Sequence, residues 1–276
     1  MRPSDHVLDL FAVPGDVEPL PGGQGGSVRA GDLVLSPGRD PAVADALSPG
    51  LAHLAVDLDT RPARDRRDLR IAMPIPARDG SWVVDGWAAT RFEPGAVLLV
   101  DLDAVRAVAA VLHAALARRF TDWPLARQEA RDRWSLAERA AFGERDLDLE
   151  DGRLAQLVGH LAAQVDPRAD LGPAQLVHGD LAGNLLLDAD GAPVVIDVAP
   201  YWRPTLWAES TAVLDSVMWW GADSAAMAGW VDGAPRQAML RSAIFRLLSD
   251  RPADLRAYER VLAPLLADRE ISPARR

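Results

Sequence analysis

Cysteine is absent from all 276 residues, and lysine is absent as well, so every one of the 30 basic residues is arginine. The first absence removes disulfides, thiolate zinc sites and cysteine nucleophiles, and is compatible with a reducing cytoplasm. The second means that any positive charge at a site must be a guanidinium, a fork rather than a point charge. Long apolar runs are missing too. No stretch approaches the roughly 18 uninterrupted apolar residues of a membrane helix, and Asp5 and Asp9 interrupt the N-terminal apolar segment, which argues against a signal peptide. Positive charge is in deficit, 30 basic against 40 acidic residues for a net charge of −10. That balance argues against nucleic acid or an anionic membrane as partner, and leaves a neutral or cationic small molecule easier to accommodate. Histidine is scarce, and His6, His53, His113 and His160 are scattered without metal-ligand spacing.

What remains is an ordinary globular composition, 49% hydrophobic and 25% charged. The length suits one large core or two modest lobes. The most informative stretch is Leu176 to Tyr201, LVHGDLAGNLLLDADGAPVVIDVAPY. Two short apolar runs, Leu185 to Leu187 and Val194 to Ile196, flank the turn sequence Asp188-Ala189-Asp190-Gly191, a pattern that predicts a hairpin. His178-Gly179-Asp180 and Asn184 stand before its first strand, and Asp197 ends its second. Folding the hairpin brings Asp180, Asn184 and Asp197 to one end of a small sheet. Phosphoryl transfer from ATP needs such a set: a carboxylate for the attacking hydroxyl, and a carboxamide and second carboxylate as oxygen ligands for Mg²⁺.

HGDLAGN followed by VVID resembles the catalytic loop of aminoglycoside phosphotransferases and related small-molecule kinases. The resemblance implies an α+β, bilobal protein-kinase-like fold with a small N-terminal antiparallel sheet lobe and a larger, mainly helical C-terminal lobe. Residues 1–92 would form the nucleotide-binding lobe, and residues 93–276 the lobe with the catalytic loop and the acceptor-binding helices. It also implies ATP or another NTP and Mg²⁺ as cofactors, and a small-molecule hydroxyl acceptor such as a sugar, amino sugar or aminoglycoside-like compound. Asp180 is then the catalytic base with His178 beside it, and Asn184 and Asp197 are the metal ligands. Gly23, Gly25, Gly26 and Ser27 of the loop PGGQGGS would cradle phosphate, with Val34 and Ser36 on the strand that follows. A cytoplasmic setting is expected, and the oligomeric state is open.

Two departures from that family stand out. Three residues separate Asp180 from Asn184 where the family usually has four. Ser36 occupies the place of the phosphate-binding lysine, with Arg39 and Arg29 the nearest substitutes in sequence. The second departure supports an alternative, a catalytically silent kinase-like module that binds a nucleotide or a partner. A hydrolytic metal site built on His178, Asp180 and Asp197 fits poorly, since no second histidine lies in this segment.

Along the rest of the chain, Ser4 caps a helix through Phe11, and strands run from Ser27 to Arg29 and from Asp32 to Leu35. Pro41 to Leu47 reads as a short helix and Leu51 to Leu58 as a strand. Further strands are expected over Leu69 to Met73 and Ser81 to Val84, and a hinge over Trp87 to Phe92. Helices follow over Asp103 to Phe120, capped by Asp103, and over Leu154 to Val165, then a strand from Ala174 to Val177. Thr205 to Ala267 is helical, with breaks at Gly221, Gly233 to Pro235 and Pro252. Trp207, Trp219, Trp220 and Trp230 read as core, Arg203 as a structural ion-pair partner, and Glu209, Asp215 and Asp223 as surface acids.

Overall fold

The computed structural model describes residues 1–21, 26–123, 132–147, 149, 152–252 and 254–266. The chain begins with α1 (Asp5–Leu10), β1 (Glu18–Pro19), β2 (Val28–Ala30), β3 (Leu33–Ser36), α2 (Pro41–Thr60), β4 (Arg70–Ile71), β5 (Pro74–Ile75) and β6 (Ala88–Arg91). It continues with β7 (Val97–Leu98), α3 (Leu102–Arg119), α4 (Arg133–Ala141), α5 (Arg153–Ala162) and β8 (Ala174–His178). Then come β9 (Leu185–Leu187), β10 (Pro193–Val195), β11 (Pro200–Pro204), α6 (Thr205–Trp219), a 3₁₀ helix (Ser224–Trp230), α7 (Gly233–Asp250) and α8 (Arg256–Leu266). These elements form two compact units. The first comprises Met1–Leu99, Ala110–Gln128 and Asn184–Ala199; the second comprises Val100–Ala109, Glu129–Gly183 and Pro200–Arg276.

The first unit holds an antiparallel sheet in the order β1-β2-β3-β6-β5. Alternation puts Val28, Ala30, Leu35 and Ala89 on its inner face, where they bury against Val7, Leu8 and Phe11 at the N-terminus. Ser4 caps α1 as its sequence predicts, accepting from Val7 N–H. The predicted hairpin pairs β9 with β10 in antiparallel register, Leu185 opposite Val195 and Leu187 opposite Pro193. It belongs to a second sheet of this unit, ordered β4-β10-β9-β7, in which β4 runs parallel to β10.

Three local expectations are corrected. Pro41 to Thr60 is one helix, not a helix and a strand. Its buried positions Leu47, Leu51, Leu54, Ala55 and Leu58 recur at three- and four-residue steps, which is helical rather than alternating. Pro49 inside the helix costs about 3 kcal/mol, but burying four leucines at about 2 kcal/mol each outweighs it. Ser81 to Val84 makes no strand and contributes only the isolated bridge between Val84 and Trp87. The N-terminus of α3 is capped by Asp101, whose carboxylate accepts from Ala104 N–H at 2.8 Å, and not by Asp103.

The second unit is mainly helical. Its core gathers Trp207, Val213 and Leu214 of α6, Met239, Ile244 and Phe245 of α7, and Leu157, Val158 and Leu161 of α5. Edge-to-face contacts link Trp207 to Phe142, Tyr201 and Phe245, with centroids 5.3–5.7 Å apart across the aromatic cluster. A two-stranded antiparallel ribbon, β8 with β11, delivers the chain to Gly179 and Asp180. Among the described residues no helix is long and apolar enough to cross a membrane.

Candidate active site

Asp180 follows the inner end of β8. His178 is completely buried there, and its Nδ1 accepts from the Asp180 backbone N–H at 3.1 Å, which fixes the start of the loop. The structure therefore gives His178 a loop-holding contact. Gly179 lies where a side chain would run into the rings of Tyr201 and Trp207, so the loop descends onto the aromatic cluster. Leu181 and Ala182 are buried behind it. Gly183 closes the loop at φ +87, with the Trp220 indole in the space a Cβ would take. The loop is thus pinned at both ends by backbone approach to aromatic faces.

The Asp180 carboxylate has a partner that the sequence did not announce. Arg246, on α7, donates from Nη2 to Asp180 Oδ1 at 2.5 Å. The same guanidinium grips Asp215 of α6, donating from Nε at 2.8 Å and again from Nη2. Burial pushes the Asp215 carboxyl up to about 7 against the pull of Arg246, while the two carboxylates hold Arg246 firmly in its charged form despite its burial. Both residues could have been flagged as single charges inside apolar helical stretches, AIFRLL and AVLDSV. Asp215 is therefore a buried ion-pair member, not a surface acid. Glu209 pairs with Arg106 at 2.8 Å, and Asp223 caps the 3₁₀ helix.

Asn184 and Asp197 lie in the first unit, where the hairpin sets them at one end. Asn184 immediately precedes β9, and its backbone carbonyl accepts from Ile196 N–H at 3.0 Å, one residue before Asp197. The far end is closed by Asp188, whose carboxylate accepts from Ala192 N–H at 2.8 Å and Asp190 N–H at 3.0 Å. Burial raises the Asp188 carboxyl, but these bonds and Arg70 outweigh it and hold it below the usual range. Asp197 itself sits at φ +46, a left-handed conformation that costs about 1 kcal/mol for a non-glycine residue. Arg39 approaches it, Nη1 to Oδ1 at 2.6 Å.

Arg39 and Arg29 are thereby distinguished. Arg29 lies over the Phe92 ring at 4.4 Å and faces Glu18 at 3.7 Å. Ser36, at the end of β3, shares a hydrogen bond with Ser27, Oγ to Oγ at 3.1 Å, and carries no charge to this place. Val34 is held in the sheet opposite Thr90 and Arg29. Gly26 packs on the Pro37 ring. Gly23 and Gly25 fall outside the described residues. Arg203 pairs with Glu138 and with Glu144, the latter at 2.7 Å, and stacks on Phe142, the structural role expected of it. Trp207 and Trp230 are core, but Trp219 is 47% exposed.

Asn184 and Asp197 offer two oxygen ligands, which suits a hard cation that keeps waters and phosphate oxygens in its remaining positions. Among the described residues no group of three or more His, Asp or Glu side chains forms a protein-only metal cage.

An antiparallel N-terminal sheet, a helical C-terminal part and an HGD loop followed by the hairpin define the protein-kinase-like fold used by small-molecule kinases. The chain belongs to the phosphotransferase enzyme family, whose model matches residues 31–199. That membership makes it a phosphotransferase acting on hydroxyl acceptors. Among solved structures it is similar to choline kinase LicA from Streptococcus pneumoniae, at 13% identity and TM-score 0.53, covering 94% of this chain and 96% of that one. It is also similar to a thermostable mutant of aminoglycoside phosphotransferase APH(4)-Ia, at 15% identity and TM-score 0.55, covering 94% and 97%. No curated protein matches the chain in sequence.

Proposed function

We propose that the protein transfers a phosphoryl group from ATP to a hydroxyl of a small metabolite, in a Mg²⁺-dependent reaction. The reading rests above all on the hairpin end, where the Ile196 N–H to Asn184 backbone carbonyl bond supports a common position for the Asn184 and Asp197 backbones at one end of the hairpin. Asp180 acts as the catalytic base: its carboxylate orients the acceptor hydroxyl and takes up its proton as the oxygen attacks phosphorus. His178 keeps Asp180 in register through the loop backbone. Asn184 and Asp197 would hold Mg²⁺, which when bound offsets the charge on the phosphates. Gly26 and Ser27 belong to the phosphate-facing turn.

Arg39 is the cation nearest this chemistry in the first unit, because it already stands at Asp197. In a chain without lysine it supplies the charge that Ser36 cannot, and a forked guanidinium suits phosphate oxygens. The acceptor is a sugar, amino sugar or similar alcohol, and the cytoplasm, which supplies ATP and Mg²⁺, is the setting.

A thermal-shift comparison of ATP and GTP with and without Mg²⁺, followed by a panel of hydroxyl acceptors, tests the nucleotide and then the chemistry. Asp180→Ala should abolish turnover while leaving the melting temperature near that of the parent. Undiminished turnover in that variant removes Asp180 from its role. A nucleotide-dependent shift with no phosphorylated product from any acceptor, and no ATP hydrolysis, favours the silent nucleotide-binding module instead.

A further inference from the structure

We infer that Arg246 is a positioning residue of the phosphoryl transfer: anchored on Asp215 inside the second unit, it holds the Asp180 carboxylate in its working orientation. The inference rests on the base role proposed for Asp180 and adds to it the group that fixes that base.

The exposures argue for a device with direction. The side chain of Arg246 is 5% exposed, that of Asp215 1%, and that of Asp180 47%. Burying a guanidinium costs several kcal/mol unless it is paired and hydrogen-bonded. Asp215 alone meets that need, since it takes both Nε and Nη2 of the guanidinium. A purely structural ion pair would end there. Instead Nη2 also reaches Asp180 Oδ1 at 2.5 Å, and lies 3.5 Å from the carbonyl oxygen of Gly179 just before it. The guanidinium therefore spans from the core to the loop that carries the base.

The surrounding packing leaves Arg246 little freedom. Its guanidinium carbon lies 4.9 Å from the Phe245 ring centroid and 5.7 Å from that of Trp219. Phe245 is itself locked between Tyr201 and Trp207. A planar fork held at two points and flanked by aromatic rings presents one fixed position to the Asp180 carboxylate. Of the two carboxylates on the guanidinium, Asp180 is the exposed one and Asp215 the buried one. Asp180 is where a hydroxyl proton would be taken up.

Arg246→Met alone would strand Asp215 as an unpaired buried acid. The decisive variant is therefore Arg246→Met combined with Asp215→Leu, which replaces the buried pair by apolar groups and keeps the core satisfied. With Mg·ATP as substrate and the acceptor from the panel, or water if none is found, kcat should fall about a hundredfold, the cost of a catalytic group misplaced by about an ångström. KM for Mg·ATP should stay within about threefold, because the interaction serves the transition state and not nucleotide binding. Arg246→Lys should recover part of kcat, since an ammonium can still reach Asp180. A crystal structure of the double variant should show the Asp180 carboxylate in more than one rotamer. A folded double variant with the parent's kcat, alongside an inactive Asp180→Ala, overturns the inference and leaves the base role standing. An active Asp180→Ala overturns both.

Discussion

Two guanidinium–carboxylate clusters carry most of the chemistry discussed above, and their surroundings are opposite. Arg39 meets Asp197 at 2.6 Å with side chains 35% and 48% exposed. Arg246 meets Asp215 and Asp180 from inside a helical core. The first is a partly solvated pair at the end of a hairpin, screened by water and free to exchange partners. The second is a dry junction whose geometry is fixed by what packs around it. The same residue types thus serve two ends: a replaceable charge at a candidate metal ligand, and a rigid strut behind a candidate base.

The comparison is broken most easily by removing each arginine in turn. Arg246→Met should destabilise the protein by about 3–5 kcal/mol in chemical denaturation, because Asp215 is left buried and unpaired. Arg39→Met should change stability by less than about 1 kcal/mol, as for other exposed pairs. Its effect belongs in binding, where the KM for Mg·ATP should rise about tenfold, the worth of one charge-assisted hydrogen bond. Equal losses of stability in the two variants would erase the distinction.

Two glycines sharpen the same contrast between packed and open surroundings. Gly183→Ala must place a methyl group where the Trp220 indole lies, at φ +87, and should cost about 2–3 kcal/mol. Gly191→Ala, in the hairpin turn at φ +83, meets nothing nearer than Arg67 Nε at 3.9 Å, and should cost only about 1 kcal/mol. A reversed order in thermal denaturation would contradict the packing described for the loop.

A further contrast lies in pH dependence. Burial raises the folded Asp215 carboxyl from 3.8 to about 7. The native state therefore binds more protons than the unfolded chain between these values, and this contribution to stability is complete below the lower one and lost as pH rises through the upper. The difference in melting temperature between the parent and Asp215→Asn should shrink as pH is raised from 4 to 7. Growth of that difference over the same range would mean that Arg246, and not burial, governs the carboxyl.

Legibility in the sequence followed the range of the interactions. The β9–β10 hairpin was readable because its turn, Asp188 to Gly191, carries its own instructions within four residues. Ser4 as cap of α1 was readable for the same reason, and the HGD loop and VVID carried the α+β kinase-like fold with them. The helix over Pro41 to Thr60 was misread in part because a short apolar run with a nearby proline satisfies both helical and strand patterns, and packing decided between them. Asp101 and Asp103 compete for one cap, and only the actual start of α3 selects the first. Arg246 stands out as a lone charge in an apolar stretch, but its partner was out of reach: the contact with Asp180 spans 66 residues, and no local pattern encodes which helix faces the loop. Arg39 was named as a candidate from its nearness to Ser36, but its pairing with Asp197 depends on the hairpin folding into the first unit.

The indole of Trp220, lying against Gly183 at the end of the HGD loop, has a practical corollary. The molecule contains nine tryptophans, and this one abuts the backbone that links Asp180 to Asn184. Its emission is an intrinsic optical gauge of that peptide segment, so a difference spectrum against Trp220→Phe can follow ligand engagement without attaching any dye.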